Sequence, residues 1–349
     1  MSGFAIGDIV VGHSEPPLVV AEIGINHGGS FDVAVELVNS AIRAGAKVIK
    51  HQTHIPEAEM SEEARHINPG NADISIYEVI SQNCLSADEE YRLMKYVIEK
   101  GAIFFSTPFS REALDRLREW DLPVYKIGSG ECGNFPLVEL IARERKPVIM
   151  STGMNTMKTI SISVDILRNY RVPFALMHTT NLYPTPVNLV RLGGIDDLSR
   201  AFPDAVIGLS DHSTSNASCI ASIAHGARIL ERHFTDTRER IGPDIPCSMD
   251  EEDLRRLLLE SKDAFLAEGG GRYPATEEEV TIRFAFASVV AVKDIAPGEK
   301  LSMENTWVKR PSGGDFVPAD LTTILGRRAS RQIKANTQIR KDDLEGTLA

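Results

Sequence analysis

The chain is short of several things, and each shortage removes a class of explanation. Only 6% of its 349 residues are aromatic, and its two tryptophans, Trp120 and Trp307, are too isolated to suggest a stacking platform. Lys and Arg number 38 against 49 Asp and Glu, and the resulting net charge of −11 argues against nucleic acid or an anionic membrane as partner. An anionic small molecule stays possible, because a site needs only local positive charge. The four cysteines, Cys84, Cys132, Cys219 and Cys247, lack metal-like spacing and fit reduced thiols better than a disulfide framework. No apolar run approaches the ~20 residues of a membrane span. The first residues show no basic stretch followed by an apolar one, so no secretory leader is expected and the expected compartment is the cytoplasm.

What is present is a rhythm. After a lead-in over residues 1–17, short apolar strands alternate with amphipathic helices. Strands are expected at Leu18–Gly24, Lys47–Gln52, Ala102–Ser106, Val124–Ile127, Val148–Ser151, Phe174–His178, from Ala205 into Gly208–His212, and at Arg228–Phe234. Near-continuous apolar strands suit a parallel sheet buried on both faces, and eight such units over about 250 residues match a (β/α)8 TIM barrel. An open doubly wound sheet is the competing architecture. It calls for a glycine-rich phosphate loop after the first strand, and Gly24–Gly29 (GINHGG) lacks that order.

Two segments break the rhythm. Residues 54–87 form a long excursion, rich in Glu, Asn, Pro and Ser, that suits a lid or a subunit contact. Beyond Glu268–Pro274 the βα pattern stops, and Ser288–Val292, Trp307–Arg310 and Ala329–Ile333 read as short strands between turns. The expected division is a barrel over 1–280 and a small β-rich domain over 284–349.

Barrel enzymes carry reacting groups where strands end and βα loops begin. Here those positions hold Glu22 and Asn26; Lys50 and Gln52; Ser106 and Thr107; Lys126, Ser129 and Glu131; Ser151 and Thr152; Asn181 and Tyr183; Ser210 and His212; and His233 with Asp244 a loop later. Each alone could be a solvated strand end. Together they resist that reading, because charges inside apolar strands are costly unless paired or functional. His212 and His233 close successive strands 21 residues apart, about one βα repeat. Neighbouring strands lie ~4.8 Å apart, so the two imidazoles can share one divalent ion; the plainer alternative is that each caps its strand by hydrogen bonding. Lys50 and Lys126, with the hydroxyls and Asn181, suit a compact anion carrying phosphate and carboxylate. Glu22, Glu131 and Asp244 are available for proton transfer or for holding sugar hydroxyls. A metal that polarises a carbonyl completes a set suited to carbon–carbon bond formation from a phosphorylated enol acid. His178, His225 and the cysteines are expected to be structural, and so are His51 and His54, with one of that pair touching the site as the lesser alternative.

The stretches Ala21–His27 (AEIGINH), Lys50–Thr53 (KHQT), Phe105–Phe109 (FSTPF), Tyr125–Glu131 (YKIGSGE), Ser151–Met154 (STGM), Asn181–Pro186 (NLYPTP), Gly208–His212 (GLSDH), Glu231–Phe234 (ERHF) and Gly242–Asp244 (GPD) occur in this order. In them the chain resembles the sialic acid (N-acetylneuraminate) synthase family over essentially its whole length. The tail resembles the antifreeze-like (SAF) domain of that family, recognisable at Trp307–Pro311 (WVKRP). One local departure is Thr179, where cysteine is common in the family.

The resemblance implies a condensation of phosphoenolpyruvate with open-chain N-acetylmannosamine, releasing phosphate. It implies manganese or magnesium on His212 and His233, and phosphoenolpyruvate on Lys50, Lys126, Ser129, Ser151, Asn181 and Ser210. Glu22, Gln52, Tyr183 and Asp244 match positions near the sugar or the attacking water. Arg310 matches an arginine delivered into the partner subunit's barrel, which implies a domain-swapped homodimer. Two rivals stand beside this: a synthase of legionaminic or pseudaminic acid, and a sugar- or ice-binding protein in which the tail is the active part. The second has difficulty explaining two lysines and two histidines at barrel strand ends.

Overall fold

The computed structural model describes residues 3–70 and 72–346. The chain divides into two compact units at Gly269–Gly270. That division lies ahead of the expected barrel limit at 280 and tail start at 284; it places the short helix Glu279–Ala285 in the second unit.

In the first unit a hairpin of β1 (Gly3–Ile6) and β2 (Ile9–Gly12) precedes eight parallel strands. These are β3 (Leu18–Gly24), β4 (Val48–Thr53), β5 (Ile103–Pro108), β6 (Tyr125–Ile127), β7 (Val148–Ser151), β8 (Phe174–Thr179), β9 (Val206–Asp211) and β10 (Ile229–His233). The order β5-β4-β3-β10-β9-β8-β7-β6 bends the sheet into a ring, with β5 packed beside β6 to complete a (β/α)8 TIM barrel. Every expected barrel strand is present, with ends shifted by a residue or two. Helices alternate with these strands, among them Phe31–Ala44, Ala217–Ala224 and Glu251–Ala267. Ser30 caps the first through a bond from Val33 N–H, and Gly45, at φ 105°, ends it in a left-handed conformation that favours glycine.

The period-two alternation of a strand organises the barrel interior in layers. Val20, Val48, Phe105, Val124, Ile149, Ala175, Val206 and Ile229 form one apolar layer inside the barrel. Two residues further along each strand, on the same face, come Glu22, Lys50, Thr107, Lys126, Ser151, Met177, Gly208 and Glu231. Residues between them, such as Ile49, Phe104, Ile127, Met150, Leu176 and Leu230, face the surrounding helices. Each buried aliphatic or aromatic side chain contributes roughly 1.5–3 kcal/mol of transfer free energy. The apolar layer therefore supports burial of the charged layer above it. Gly208 is required here, since a Cβ would meet Met177 Sδ at 2.5 Å and Ile229 O at 2.6 Å.

The lead-in carries a hairpin whose Phe4, Ile6 and Val11 pack into the same apolar layer and plug that end of the barrel. One expectation is corrected. The stretch Ala329–Ile333 is not a strand. Only its ends make isolated bridges, Ala329 to Leu344 and Ile333 to Ile295, while Ser330 and Arg331 between them are exposed. The excursion after β4 holds short helices at Pro56–Glu59 and Ile76–Asn83, and Val79 and Ile80 of the latter pack on Ile25.

The second unit pairs β11 (Ser288–Ala291) with β12 (Thr306–Lys309) antiparallel over its own core of Val289, Ala291, Ile295, Leu301, Phe316 and Ile324, among others. Among the described residues no helix is long and apolar enough to cross a membrane.

Candidate active site

The strand ends open into a cavity of about 240 Å³ lined by Lys50, Gln52, Thr107, Phe109, Lys126, Ser129, Glu131, Ser151, Thr179, Asn181, Tyr183, Ser210, His212, Glu231 and His233, with Gly128 and Gly130. Most of the expected ring is therefore in one place. Glu22 lies behind Lys50, to which it is ion-paired, and both are buried. Strand register produces that pair, because Glu22 stands opposite Lys50 on β4 and His233 on β10. Asp244 is buried, its Oδ2 3.5 Å from His233 Nδ1. Asn26 turns aside, donating from Nδ2 to Phe234 O (2.9 Å) and Ser248 Oγ (2.8 Å), and ties two loops of the rim together. Arg310 belongs to the second unit and is exposed after β12.

Glu231 is the residue that a strand-end reading misses. Its Oε1 lies 3.6 Å from Lys50 Nζ and 3.8 Å from Lys126 Nζ, and accepts from Ser210 Oγ at 3.1 Å. The available signal was alternation: Glu231 and His233 are two apart on one strand and so share its inner face. Burial alone pushes the Glu231 carboxyl up, but the two lysines and the Ser210 hydroxyl outweigh it and hold it below its ordinary value. Burial lowers both lysines, Lys50 to about 7, despite the pull of Glu231. Lys126 Nζ donates to Ser151 Oγ (2.6 Å) and Ile127 O (3.2 Å). Two buried ammoniums held short of full stabilisation by their own carboxylates form a receptor for further negative charge.

Several buried polar atoms around the cavity lack any partner: Glu131 Oε2, Asn181 Oδ1, Glu231 Oε2 and His233 Nδ1. An unsatisfied buried acceptor or donor costs about 1–3 kcal/mol, so four in one cavity mark a place built for a polar ligand. Burial raises Glu131 to about 7 and Asp244 to about 6, and pushes the Tyr183 hydroxyl up as well.

The two histidines face one compartment. Their ring centroids are 5.4 Å apart, with Tyr183 stacked on His212 at 4.2 Å and edge-on to His233 at 5.9 Å. Burial holds both below their ordinary value, which leaves neutral imidazoles. His212 Nδ1 lies 2.8 Å from Thr180 O. A carbonyl only accepts, so Nδ1 carries the hydrogen and Nε2 keeps its lone pair. These groups fit a divalent ion of borderline softness, with Thr180 orienting the His212 ring. No third His, Cys, Asp or Glu gathers with them among the described residues.

The remaining histidines divide as follows. His178 turns to the helix side, bonded to Val190 O at 2.6 Å. His225 directly follows the helix Ala217–Ala224 and bonds Asp196. His51 points out of the barrel onto His27, Nε2 to Nε2 3.2 Å, whereas His54 reaches Gln52. The cysteines are held as neutral thiols by burial, which raises Cys132 to about 11 and Cys247 to about 12.

A parallel barrel with buried lysines, carboxylates and paired imidazoles at its strand ends defines a barrel enzyme. The chain belongs to the NeuB family, whose model matches residues 37–273, and it carries an SAF domain over 286–345. It is 31% identical to pseudaminic acid synthase of Campylobacter jejuni over 94% of this chain and 96% of that one. It is likewise 31% identical to the N,N'-diacetyllegionaminic acid synthase of the same organism, over 93% and 99%. Among solved structures it resembles the N-acetylneuraminic acid synthetase of Leptospira borgpetersenii serovar Hardjo-bovis in complex with citrate: TM-score 0.73, 28% identity, 80% of this chain and 95% of that one.

Proposed function

We propose that the barrel joins phosphoenolpyruvate to N-acetylmannosamine, giving N-acetylneuraminate and phosphate. The same chemistry on a different 2-acetamido sugar, giving legionaminic or pseudaminic acid, is the second reading. It is favoured by the two relatives that are each 31% identical over nearly the whole chain. The observation that carries the reaction class is the buried pair Lys50 and Lys126, in one cavity with His212 and His233.

In this reading Lys50, Lys126, Ser129, Ser151, Asn181 and Ser210 hold the phosphate and carboxylate of phosphoenolpyruvate. Gln52, Tyr183 and Asp244 face the sugar. His212 and His233 would hold manganese or magnesium, which supplies Lewis-acid polarisation of the sugar aldehyde. The enol carbon of phosphoenolpyruvate bonds to the aldehyde carbon, whose oxygen takes up a proton. Water adds to the carbon bearing phosphate and gives up a proton. That carbon then expels phosphate by carbon–oxygen cleavage, leaving the keto acid. Two carboxylates could take the proton from water. Glu22 is ion-paired to Lys50 and stands behind the cavity lining, whereas Glu131 lines the cavity and burial raises its carboxyl to about 7, so we assign the step to Glu131.

The working unit in this proposal is a domain-swapped homodimer in which Arg310 of each subunit reaches the sugar in the other's barrel. Its support is the apolar rim: Met154, Leu182, Val187 and Ile241, on loops after β7, β8 and β10, are 75%, 45%, 63% and 101% exposed. Exposed apolar residues on loops at one end of the barrel suit an interaction surface. Phosphate release from phosphoenolpyruvate, measured with each candidate sugar and with chelator, tests the whole reading. Release that needs no sugar, or that chelator leaves untouched, refutes it.

A further inference from the structure

His54 Nε2 lies 3.0 Å from Gln52 Oε1, and the other nitrogen of that ring, Nδ1, lies 3.0 Å from both carboxylate oxygens of Glu59. His54 and Glu59 are buried, their side chains 5% and 7% exposed. The imidazole also lies flat on Phe109, centroids 4.2 Å apart and planes within 13°. Gln52 and Phe109 line the cavity; His54 and Glu59 stand behind them. A carboxylate only accepts hydrogen bonds, so Glu59 requires a hydrogen on Nδ1, and the carbonyl end of Gln52 requires one on Nε2. With Oε1 held in this way, the amide N–H2 of Gln52 is the end left for a ligand. Glu59 comes from the helix Pro56–Glu59, so part of the excursion after β4 acts on the site through this chain of contacts.

We propose that Glu59 and His54 are positioning residues. Glu59 orients His54, His54 holds the carbonyl of Gln52, and Gln52 is thereby set to donate to an acceptor oxygen of the sugar. The sugar part of this inference rests on the function proposed above.

The test uses the full-length chain. Measured above the pH range in which Glu131 deprotonates, Glu59→Ala is expected to raise the KM for the sugar about tenfold while leaving kcat and the KM for phosphoenolpyruvate within about twofold. Glu59→Gln, which keeps an acceptor for the ring N–H, should restore most of the loss. In a Gln52→Ala background, Glu59→Ala should add nothing, because both changes remove one interaction. Equal rises in both KM values, or fully additive losses, overturn the proposal.

A second measurement needs no turnover. Side-chain amide NMR of Gln52 should report a restrained group in the native chain and an averaged one in Glu59→Ala; an unchanged signal overturns the positioning role. If that signal depends on Glu59 while no sugar supports phosphate release, the positioning stands and the proposed reaction falls.

Discussion

His212 and His233 stand side by side at the ends of adjacent strands because the register of β9 and β10 pairs Asp211 with Arg232 one step earlier. His212 is fixed from behind by Thr180 O, while Asp244 Oδ2 stands 3.5 Å from His233 Nδ1 without a hydrogen bond between them. Replacing either histidine by alanine should cut chelator-sensitive phosphate release by at least about 10²-fold. It should also abolish manganese binding followed by electron paramagnetic resonance, with the melting temperature little changed. Normal metal binding by His212→Ala would exclude it as a ligand.

The proposed swapped dimer makes a prediction that a monomer cannot meet. Arg310→Ala should weaken use of the sugar far more than use of phosphoenolpyruvate. An equimolar mixture of Arg310→Ala and His212→Ala chains, unfolded and refolded together, should regain up to about a quarter of native activity, since half the dimers carry one intact site. No recovery, with mixed dimers demonstrated, would place Arg310 in its own subunit's barrel.

Glu131 should set the rising limb of the pH–rate profile. Its carboxyl is lifted to about 7, first by burial and then by the charge of Glu59, against the pull of Lys126. A base works only when deprotonated, so kcat should climb as pH passes through that value. Glu131→Gln should lower kcat by about 10²-fold or more and remove the limb. A variant that keeps both rate and limb assigns the proton to another group.

Outside the barrel, Glu90 offers a stability test unconnected with catalysis. Burial raises its carboxyl to about 7, although Arg116 Nη1 at 2.9 Å opposes the shift. A folded state that binds the proton more tightly than the unfolded chain is most stabilised below the unfolded value. That stabilisation is lost as pH rises through the folded one, on the order of 3 kcal/mol at most. Denaturant melts should therefore show stability falling between about pH 5 and pH 8, and Glu90→Gln should flatten the slope. An equal slope in both proteins would remove Glu90 as its source.

Much of this molecule is written along the chain. A strand repeats every two residues and a helix every 3.6. The apolar runs therefore mark all eight barrel strands, and the polar residues at their ends mark the mouth of the cavity. The spacing of His212 and His233 follows from the length of one βα repeat. Tertiary structure decided what those patterns leave open. The placing of Glu231 between two lysines depends on ring closure, which brings together strands far apart in sequence. Phe4, Ile6 and Val11 become a plug only because a barrel end needs filling. Ala329–Ile333 has strand-like composition but forms β-bridges only at its two ends. The contact of Glu59 with His54 and Gln52 depends on how an irregular excursion folds back on β4. Periodicity is a property of neighbours along the backbone, whereas charge pairing and polar satisfaction depend on which backbones meet in space.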